Sequence, residues 1–217
     1  MTAAGRHRQP AGAGRGRRTL DIVLALVGLV VFAPLGVLIG AAILLTSGPP
    51  VIFRQRRCGL HGKEFSILKF RTMSPPRSPG QTDRERQTAV GVVLRWTSLD
   101  ELPQLVNILR GDMSVIGPRP TLPDQVSRYT PRQHRRLAVR PGLTGWAQTH
   151  GRNSLSWPAR IELDLWYVEN HTWRVDLRIV VLTIGMLLWP RGVTGPGGVN
   201  AGLPVPSEAE SEVRRAG

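Results

Sequence analysis

The sequence of 217 residues is poor in cysteine and in lysine. Its single cysteine, Cys58, excludes an internal disulfide framework and a cysteine-cluster metal site. Of the 29 Lys and Arg residues only Lys63 and Lys69 are lysines, and the rest are arginines, which bind phosphate in a bidentate manner. Against 15 acidic residues the net charge is +14, which predicts an anionic partner without distinguishing nucleic acid, a lipid surface and a phosphorylated substrate.

Several common catalytic signatures are also missing. The sequence has no Walker sequence, no G-x-G-x-x-G, no H-E-x-x-H and no nucleophile-elbow serine. The 5 histidines are scattered without the spacing of metal ligands. We therefore expect neither a zinc site nor a P-loop.

Charge is absent from Ile22 to Leu45, a run long enough for a transmembrane helix. Pro34 divides the run into two arms, and each arm as a helix would rise only about 17 Å, short of the roughly 30 Å hydrocarbon core. Basic residues flank both ends of the run, whereas a spanning helix normally has its positive excess on one side. We therefore favour a re-entrant helix that bends at Pro34, with a true span as the alternative.

The remaining chain predicts an α+β protein with a mostly helical cytosolic domain. Strands at 51–56 and 64–71 form a basic hairpin around a turn at 59–62, and its cations suit either a phosphate cradle or a solvated face. A flexible loop is predicted at 74–88, and helices at 102–110 (closed by Gly111), 158–170 and 173–189. The predicted organisation is a disordered basic arm (1–18), a re-entrant membrane helix (19–48), a catalytic domain (49–190) and a disordered tail (191–217).

The most informative residues are two adjacent carboxylates, Asp100 and Glu101. Ser98 and Glu101 match a capping box, which gives a purely structural explanation. We favour a helix that begins at or just after Asp100, and with either start the two carboxylates lie at a helix N-terminus, which favours their ionised forms. In the catalytic interpretation the ionised aspartate attacks phosphorus, and the neighbouring glutamate binds a divalent cation or a proton. Spacing alone leaves both interpretations open.

Two stiff loops near this pair add weight to the catalytic interpretation. Residues 117–120 (GPRP) hold Arg119 between two prolines, and residues 140–148 (RPGLTGWAQ) present Arg140 and Gln148 in a similar way. Rigid loops bearing such side chains suit anion or nucleotide contacts, although proline and glycine also simply shape turns.

Four motifs in this order are together similar to the bacterial sugar transferase family, the monotopic phosphoglycosyltransferases. They are Lys69–Met73 (KFRTM), Ser98–Leu105 (SLDELPQL), Gly111–Pro120 (GDMSVIGPRP) and Arg140–Gln148 (RPGLTGWAQ). The resemblance runs from about Arg18 to Leu188, and we expect the small form of the family, without the multi-span membrane region of its larger members.

This resemblance implies an enzyme at the cytoplasmic face of the plasma membrane. Such enzymes use Mg²⁺ to transfer a sugar-1-phosphate from a UDP-sugar to polyprenyl phosphate, which initiates polysaccharide or glycoconjugate assembly. Asp100 matches the nucleophile that forms a covalent phosphosugar intermediate and releases UMP, and Glu101 matches its partner for Mg²⁺ or protons. The family also implies a re-entrant helix with a proline bend.

The resemblance also assigns the surrounding residues. Arg95, Arg119 and Arg140 are implied phosphate or nucleotide ligands, with Lys69, Arg71 and Gln148 as further candidates. Asp21 matches a family acid and is expected to pair with Arg18 at the membrane interface. Ala33, where the family often has serine, and Ala89, where a cation is usual, depart from the family pattern.

A different class remains as the rival interpretation, a non-catalytic basic protein that binds anionic membrane lipids or nucleic acid. We expect anionic lipids but no nucleic acid as a partner, because the basic hairpin lacks the aromatics interleaved with cations that nucleic-acid binding favours. A simple binder of either kind would gain nothing from Asp100 and Glu101 among arginines.

Overall fold

The computed structural model describes residues 15–78, 80–151 and 155–189 and has a mixed helical and β architecture. The predicted tail at 191–217 and the first 14 residues of the predicted arm lie outside these ranges. Within them the α-helices and strands are α1 (Arg15–Ser47), β1 (Ile52–Cys58), β2 (Glu64–Phe70), α2 (Asp83–Arg86), α3 (Ala89–Thr97), α4 (Gln104–Arg110), β3 (Ser114–Ile116), α5 (Pro123–Val126), α6 (Pro131–His134), β4 (Gly142–Thr144), α7 (Trp146–Thr149), α8 (Trp157–Asn170) and α9 (Trp173–Leu188).

The first helix, α1, contains Pro34 and runs through the uncharged segment. It is long and apolar enough to cross a membrane by length and composition. Its apolar side chains are largely uncovered, for example Val30 at 75%, Val37 at 71% and Leu45 at 88% exposure. An exposed apolar surface of this length fits membrane association.

Charged side chains fix the N-terminal end of α1 to the domain. Arg18 donates to the carbonyls of Ile108 and Leu109 at 2.6 and 2.9 Å, at the C-terminal end of α4. Asp21 is buried and accepts hydrogen bonds from Oγ of Ser114 at 2.9 Å and from N of Val115 at 2.8 Å. The expected pairing of Arg18 with Asp21 is therefore wrong, because each side chain has its own partners in the domain. These contacts also explain why α1 begins at Arg15, inside the predicted arm.

The C-terminal end of α1 is fixed to the same domain. The buried side chain of Arg71, just after β2, donates to the carbonyls of Pro49 and Ser47 at 2.7 and 2.8 Å and also to that of Gly48. Ile39 and Ile43 are buried against a cluster that includes Phe70 and Leu94. Both ends of α1 therefore pack on one domain.

The antiparallel hairpin β1–β2 pairs Ile52 with Phe70 at one end and Cys58 with Glu64 at the other. The buried side chain of Asn107 joins the hairpin to α4, because its Oδ1 accepts from N of Leu68 at 3.0 Å and its Nδ2 donates to O of Ser66 at 2.8 Å. The basic residues of the hairpin differ in environment. Arg56 is 83% exposed, whereas the side chain of Lys69 is only 18% exposed and turns toward Glu101.

Two further strands, β3 and β4, pair in parallel and bring the two stiff loops together. A Cβ atom at Gly117 would lie 2.4 Å from O of Arg140, and one at Gly142 would lie 2.1 Å from N of Gly117. The glycines of both loops therefore serve close backbone contact, which local turn patterns do not predict.

The segment predicted as a flexible loop (74–88) contains a short helix, α2. Thr82 and Glu85 form a capping box at its start, and N of Ser74 donates to O of Arg86 at 2.8 Å across the segment. Thr88 then caps α3, whose Gly91 packs on the backbone of Thr72. The segment is thereby tied to the strand that carries Lys69.

We predict that Gly91→Ala destabilises the protein by about 1–3 kcal/mol, because a Cβ atom at this position would lie 2.1 Å from the carbonyl oxygen of Thr72. Gly185→Ala is the matched control, since Gly185 is also helical and a Cβ atom there meets nothing within 4 Å. The control should be neutral or stabilising by up to about 1 kcal/mol. Denaturant unfolding in detergent measures both, and equal effects would contradict the close packing of Gly91.

Candidate active site

Asp100 and Glu101 lie in a single 3₁₀ turn, Leu99–Glu101, between α3 and α4. Ser98, with φ of 61°, turns the chain out of α3, and Pro103 lies at the N-cap of α4. The Ser98 side chain makes no capping hydrogen bond, and the Glu101 carboxylate has other partners, so the capping-box interpretation is wrong. The helix predicted at 102–110 is confirmed as α4, closed by Gly111 in the left-handed conformation.

Glu101 is the anionic centre of the site. Its Oε1 accepts from Nζ of Lys69 at 2.6 Å and from Nη2 of Arg119 at 3.0 Å. Burial acts to raise the pKa of Glu101, but the charges and hydrogen bonds of Lys69 and Arg119 lower this pKa to about 2. Glu101 is therefore ionised at neutral pH.

Asp100 is less well neutralised than its neighbour. It is 8% exposed, and its Oδ2 lies 3.8 Å from Nζ of Lys69. Burial raises the pKa of Asp100, while the positive charge of Lys69 opposes this rise, the charge of Glu101 adds to it, and Arg119 and Arg95 lower it again. A buried carboxylate with one distant ion pair has the features of a nucleophile held in a desolvated site.

Arg95 is positioned by the residues that follow β2. Its Nε donates to Oγ1 of Thr72 at 2.9 Å, and its Nη2 lies 2.7 Å from Sδ of Met73. These contacts hold the guanidinium near Asp100, on whose pKa its charge acts. The KFRTM motif thus supplies Lys69 itself, and its Thr72 and Met73 position Arg95.

Arg119 is held by a buried network that the sequence analysis did not identify. Arg136 donates from Nη2 to the carbonyl of Arg119 at 2.6 Å and from Nε to Oδ2 of Asp164 at 2.6 Å. Its Nη1 donates to the hydroxyl of Tyr129 at 2.9 Å and also to Oγ1 of Thr121. Asp164 lies on the buried face of α8 with Ile161, Leu165 and Val168. A carboxylate at that point of an apolar stripe is the sequence signal that was missed.

The other predicted ligands lie outside this group of charges. Arg71 is engaged by carbonyls at the end of α1, and Nε of Arg140 donates to the carbonyl of Gly111 at 3.0 Å. Gln148, in α7, has both polar side-chain atoms buried without a hydrogen-bond partner. The structure therefore brings together Asp100, Glu101, Lys69, Arg95 and Arg119, and gives Arg71 and Arg140 contacts with backbone carbonyls.

The carboxylate pair also suits a magnesium ion by its chemistry. Magnesium favours oxygen ligands and is usually held by one or two carboxylates together with water and substrate phosphate oxygens. Asp100 and Glu101 supply two such carboxylates on adjacent residues. Within the described residues no cluster of three or more His, Cys, Asp or Glu side chains forms a complete protein cage for a metal.

Comparison with known proteins gives a consistent assignment. Residues 13–190 match the model of the family described as bacterial sugar transferase. The uncharacterized sugar transferase EpsL of Bacillus subtilis is 45% identical over 82% of this chain and 89% of its own length. The exopolysaccharide production protein ExoY of Rhizobium meliloti is 40% identical over 85% of this chain and 90% of its own.

A third relative has a more specific name. The UDP-glucose:undecaprenyl-phosphate glucose-1-phosphate transferase of Caulobacter vibrioides is 44% identical over 79% of this chain and 69% of its own length. Each of the four motifs lies within the residues that match the family model. The chain belongs to the bacterial sugar transferase family.

Proposed function

We propose that this protein is a glycosyl-1-phosphate transferase that moves a sugar-1-phosphate from a UDP-sugar to undecaprenyl-type phosphate and releases UMP. The observation that carries the proposal is the asymmetry of the carboxylate pair. Glu101 is bound by Lys69 and Arg119, whereas the buried Asp100 has only one ion pair among the described residues, with Lys69 at 3.8 Å. Related proteins named as undecaprenyl-phosphate sugar phosphotransferases support the same reaction.

In the proposed reaction a carboxylate oxygen of Asp100 attacks the β-phosphorus of the donor. The bond from this phosphorus to the bridging oxygen breaks, UMP leaves with that oxygen, and the phosphosugar is held on Asp100. A phosphate oxygen of the lipid then attacks the same phosphorus, and the bond to Asp100 breaks. The carboxylate is regenerated, and the product is a polyprenyl diphosphate sugar.

The cations of the site serve this reaction by neutralising charge. Lys69 and Arg119 hold Glu101 ionised, and Arg95 adds positive charge near Asp100, which lowers the repulsion between the carboxylates and the incoming phosphates. We propose that Asp100 and Glu101 also hold Mg²⁺. When bound, Mg²⁺ would polarise the phosphate oxygens and neutralise developing charge.

We also propose that α1 enters the membrane without crossing it, which places the site at the cytoplasmic face beside anionic lipids. The two ends of a spanning helix lie on opposite sides of the bilayer. Here Asp21 binds Ser114 near the start of α1, and Arg71 binds the carbonyl of Ser47 at its end. Both contacts are made with one domain, which supports the proposal that both ends of α1 lie on the same side of the membrane.

The first test concerns the nucleophile. Asp100→Asn should lower UMP release from the preferred UDP-sugar by about 10³-fold or more, because an amide does not form the phosphosugar adduct. A panel of UDP-sugars with polyprenyl phosphate identifies the donor, and mass spectrometry of the wild-type peptide locates the adduct. Asp83→Asn, on a 68% exposed side chain, is the control and should keep full activity. Substantial turnover by Asp100→Asn would contradict the assignment.

The second test uses the only two lysines of the chain. Lys69 lowers the pKa of Asp100, so Lys69→Met should raise that pKa. Because only the ionised carboxylate attacks, the acidic limb of kcat/KM should move to higher pH, and the maximal rate should fall by about 10- to 100-fold. Lys63→Met, which removes an exposed lysine, should leave the pH profile unchanged. An unshifted acidic limb in Lys69→Met would refute the role of Lys69.

The third test concerns topology. In a Cys58→Ser background, Thr2→Cys and Ala216→Cys place single thiols near the two ends of the chain. In sealed cells a membrane-impermeant maleimide should leave both thiols unlabelled, and both should react after lysis, because both ends of α1 pack on one cytosolic domain. Labelling of one terminus but not the other in sealed cells would show that α1 crosses the membrane.

A further inference from the structure

The proposed reaction leaves the half-buried side chain of Arg57 without a role. Arg57 lies near the end of β1, where N of Cys58 donates to O of Thr121 at 2.8 Å. This contact places the end of β1 against the loop that carries Arg119. Successive side chains alternate across a strand, so Arg56 points to solvent while Arg57 points to the opposite face.

The contacts of Arg57 leave its charge uncompensated. Nη2 donates to Oε1 of Gln55 at 2.7 Å, a neutral acceptor, and Nε is buried with no hydrogen-bond partner. None of the ion pairs found among the described residues includes Arg57. A buried guanidinium normally has a carboxylate or phosphate partner, because an unpaired charge is costly to remove from water.

The electrostatics of neighbouring groups agree with this geometry. Burial lowers the pKa of Arg57 to about 10, and repulsion from Arg119 contributes, although Asp124 and Glu101 act in the opposite direction. Burial and repulsion from Arg119 also lower the pKa of Arg160, in α8. The positive charge of Arg119 is therefore felt by an arginine of β1 and by one of α8.

We propose that Arg57 and Arg119 together bind the diphosphate of the nucleotide donor, an inference that rests on the proposed function. Arg119 uses one nitrogen for Glu101 and is 42% exposed, so its remaining N–H groups are available to a ligand. Arg119 contacts Glu101 at 3.0 Å, and the contact of Cys58 with Thr121 brings the end of β1 to the loop of Arg119. In the proposed complex one phosphate therefore lies beside Asp100 and the other beside Arg57. Planar guanidinium forks suit this task, because each binds two phosphate oxygens at once.

The test measures binding directly, with UDP and with inorganic pyrophosphate, by calorimetry on the full-length protein in nanodiscs. Arg57→Gln should weaken both ligands by about 10-fold or more, because it removes a charge-assisted bidentate contact. Arg56→Gln is the matched control, since it removes the same charge from the adjacent residue of the same strand. Its side chain is 83% exposed, and affinity should change less than about twofold.

Two further measurements make each outcome decisive. Thermal unfolding establishes whether Arg57→Gln keeps the wild-type transition. If Arg57→Gln loses that transition, UDP binding is measured with Arg57→Lys instead. This variant keeps the positive charge but loses the planar guanidinium, and it should weaken UDP binding several-fold. Unchanged UDP affinity in the folded Arg57 variant would overturn the inference. Wild-type protein that binds UDP but releases UMP from no UDP-sugar would instead refute the proposed function and leave this anion site standing.

Discussion

The adjacent carboxylates of Asp100 and Glu101 repel each other in a partly buried turn, so the fold must place positive charge beside them. At about 4 Å two unit charges of like sign cost about 4 kcal/mol in an effective dielectric of 20, and burial adds to this. Lys69 lies 2.6 Å from Glu101 and 3.8 Å from Asp100, so one ammonium offsets both charges. Arg119 then neutralises Glu101 further, which leaves Asp100 as the less compensated member. The difference in charge compensation between Asp100 and Glu101 is thus set by Lys69 and Arg119, which are distant from them in the sequence.

The same constraint connects the site to the membrane helix. Lys69 belongs to β2, and Arg71, two residues later, binds the carbonyls of Ser47 and Pro49 at the end of α1. At the other end of α1, Asp21 binds Ser114 at the start of β3, which leads into the loop of Arg119. Each of the two cations on Glu101 is therefore close in sequence to an anchor of α1.

The sequence allowed local elements to be predicted, but it did not reveal distant contacts. Helices α4, α8 and α9 were predicted within two residues, because caps, apolar spacing and Gly111 are local signals. The pairing of β3 with β4 and the start of α1 at Arg15 depend on partners elsewhere in the chain and were missed. At the site, Asp100, Glu101, Lys69 and Arg119 were predicted from the motifs, and the fold brings these four side chains together. Their roles in the reaction stay predictions. The buried pair of Arg136 and Asp164 was missed, because neither residue lies in a motif.

Membership of a motif does not by itself identify a ligand of the substrate. Arg71 and Arg140 lie in motifs, yet their guanidinium groups donate to backbone carbonyls at the ends of α1 and α4. Gly117 and Gly142 allow two loops to approach within a distance that any side chain would prevent. Arg57, outside the four motifs, carries the less compensated charge near the carboxylates. The acceptors therefore separate these arginines: Arg71 and Arg140 donate to backbone carbonyls that join parts of the fold. Arg57 instead donates to the neutral side-chain oxygen of Gln55, and it is the arginine whose charge we propose that an anionic substrate neutralises.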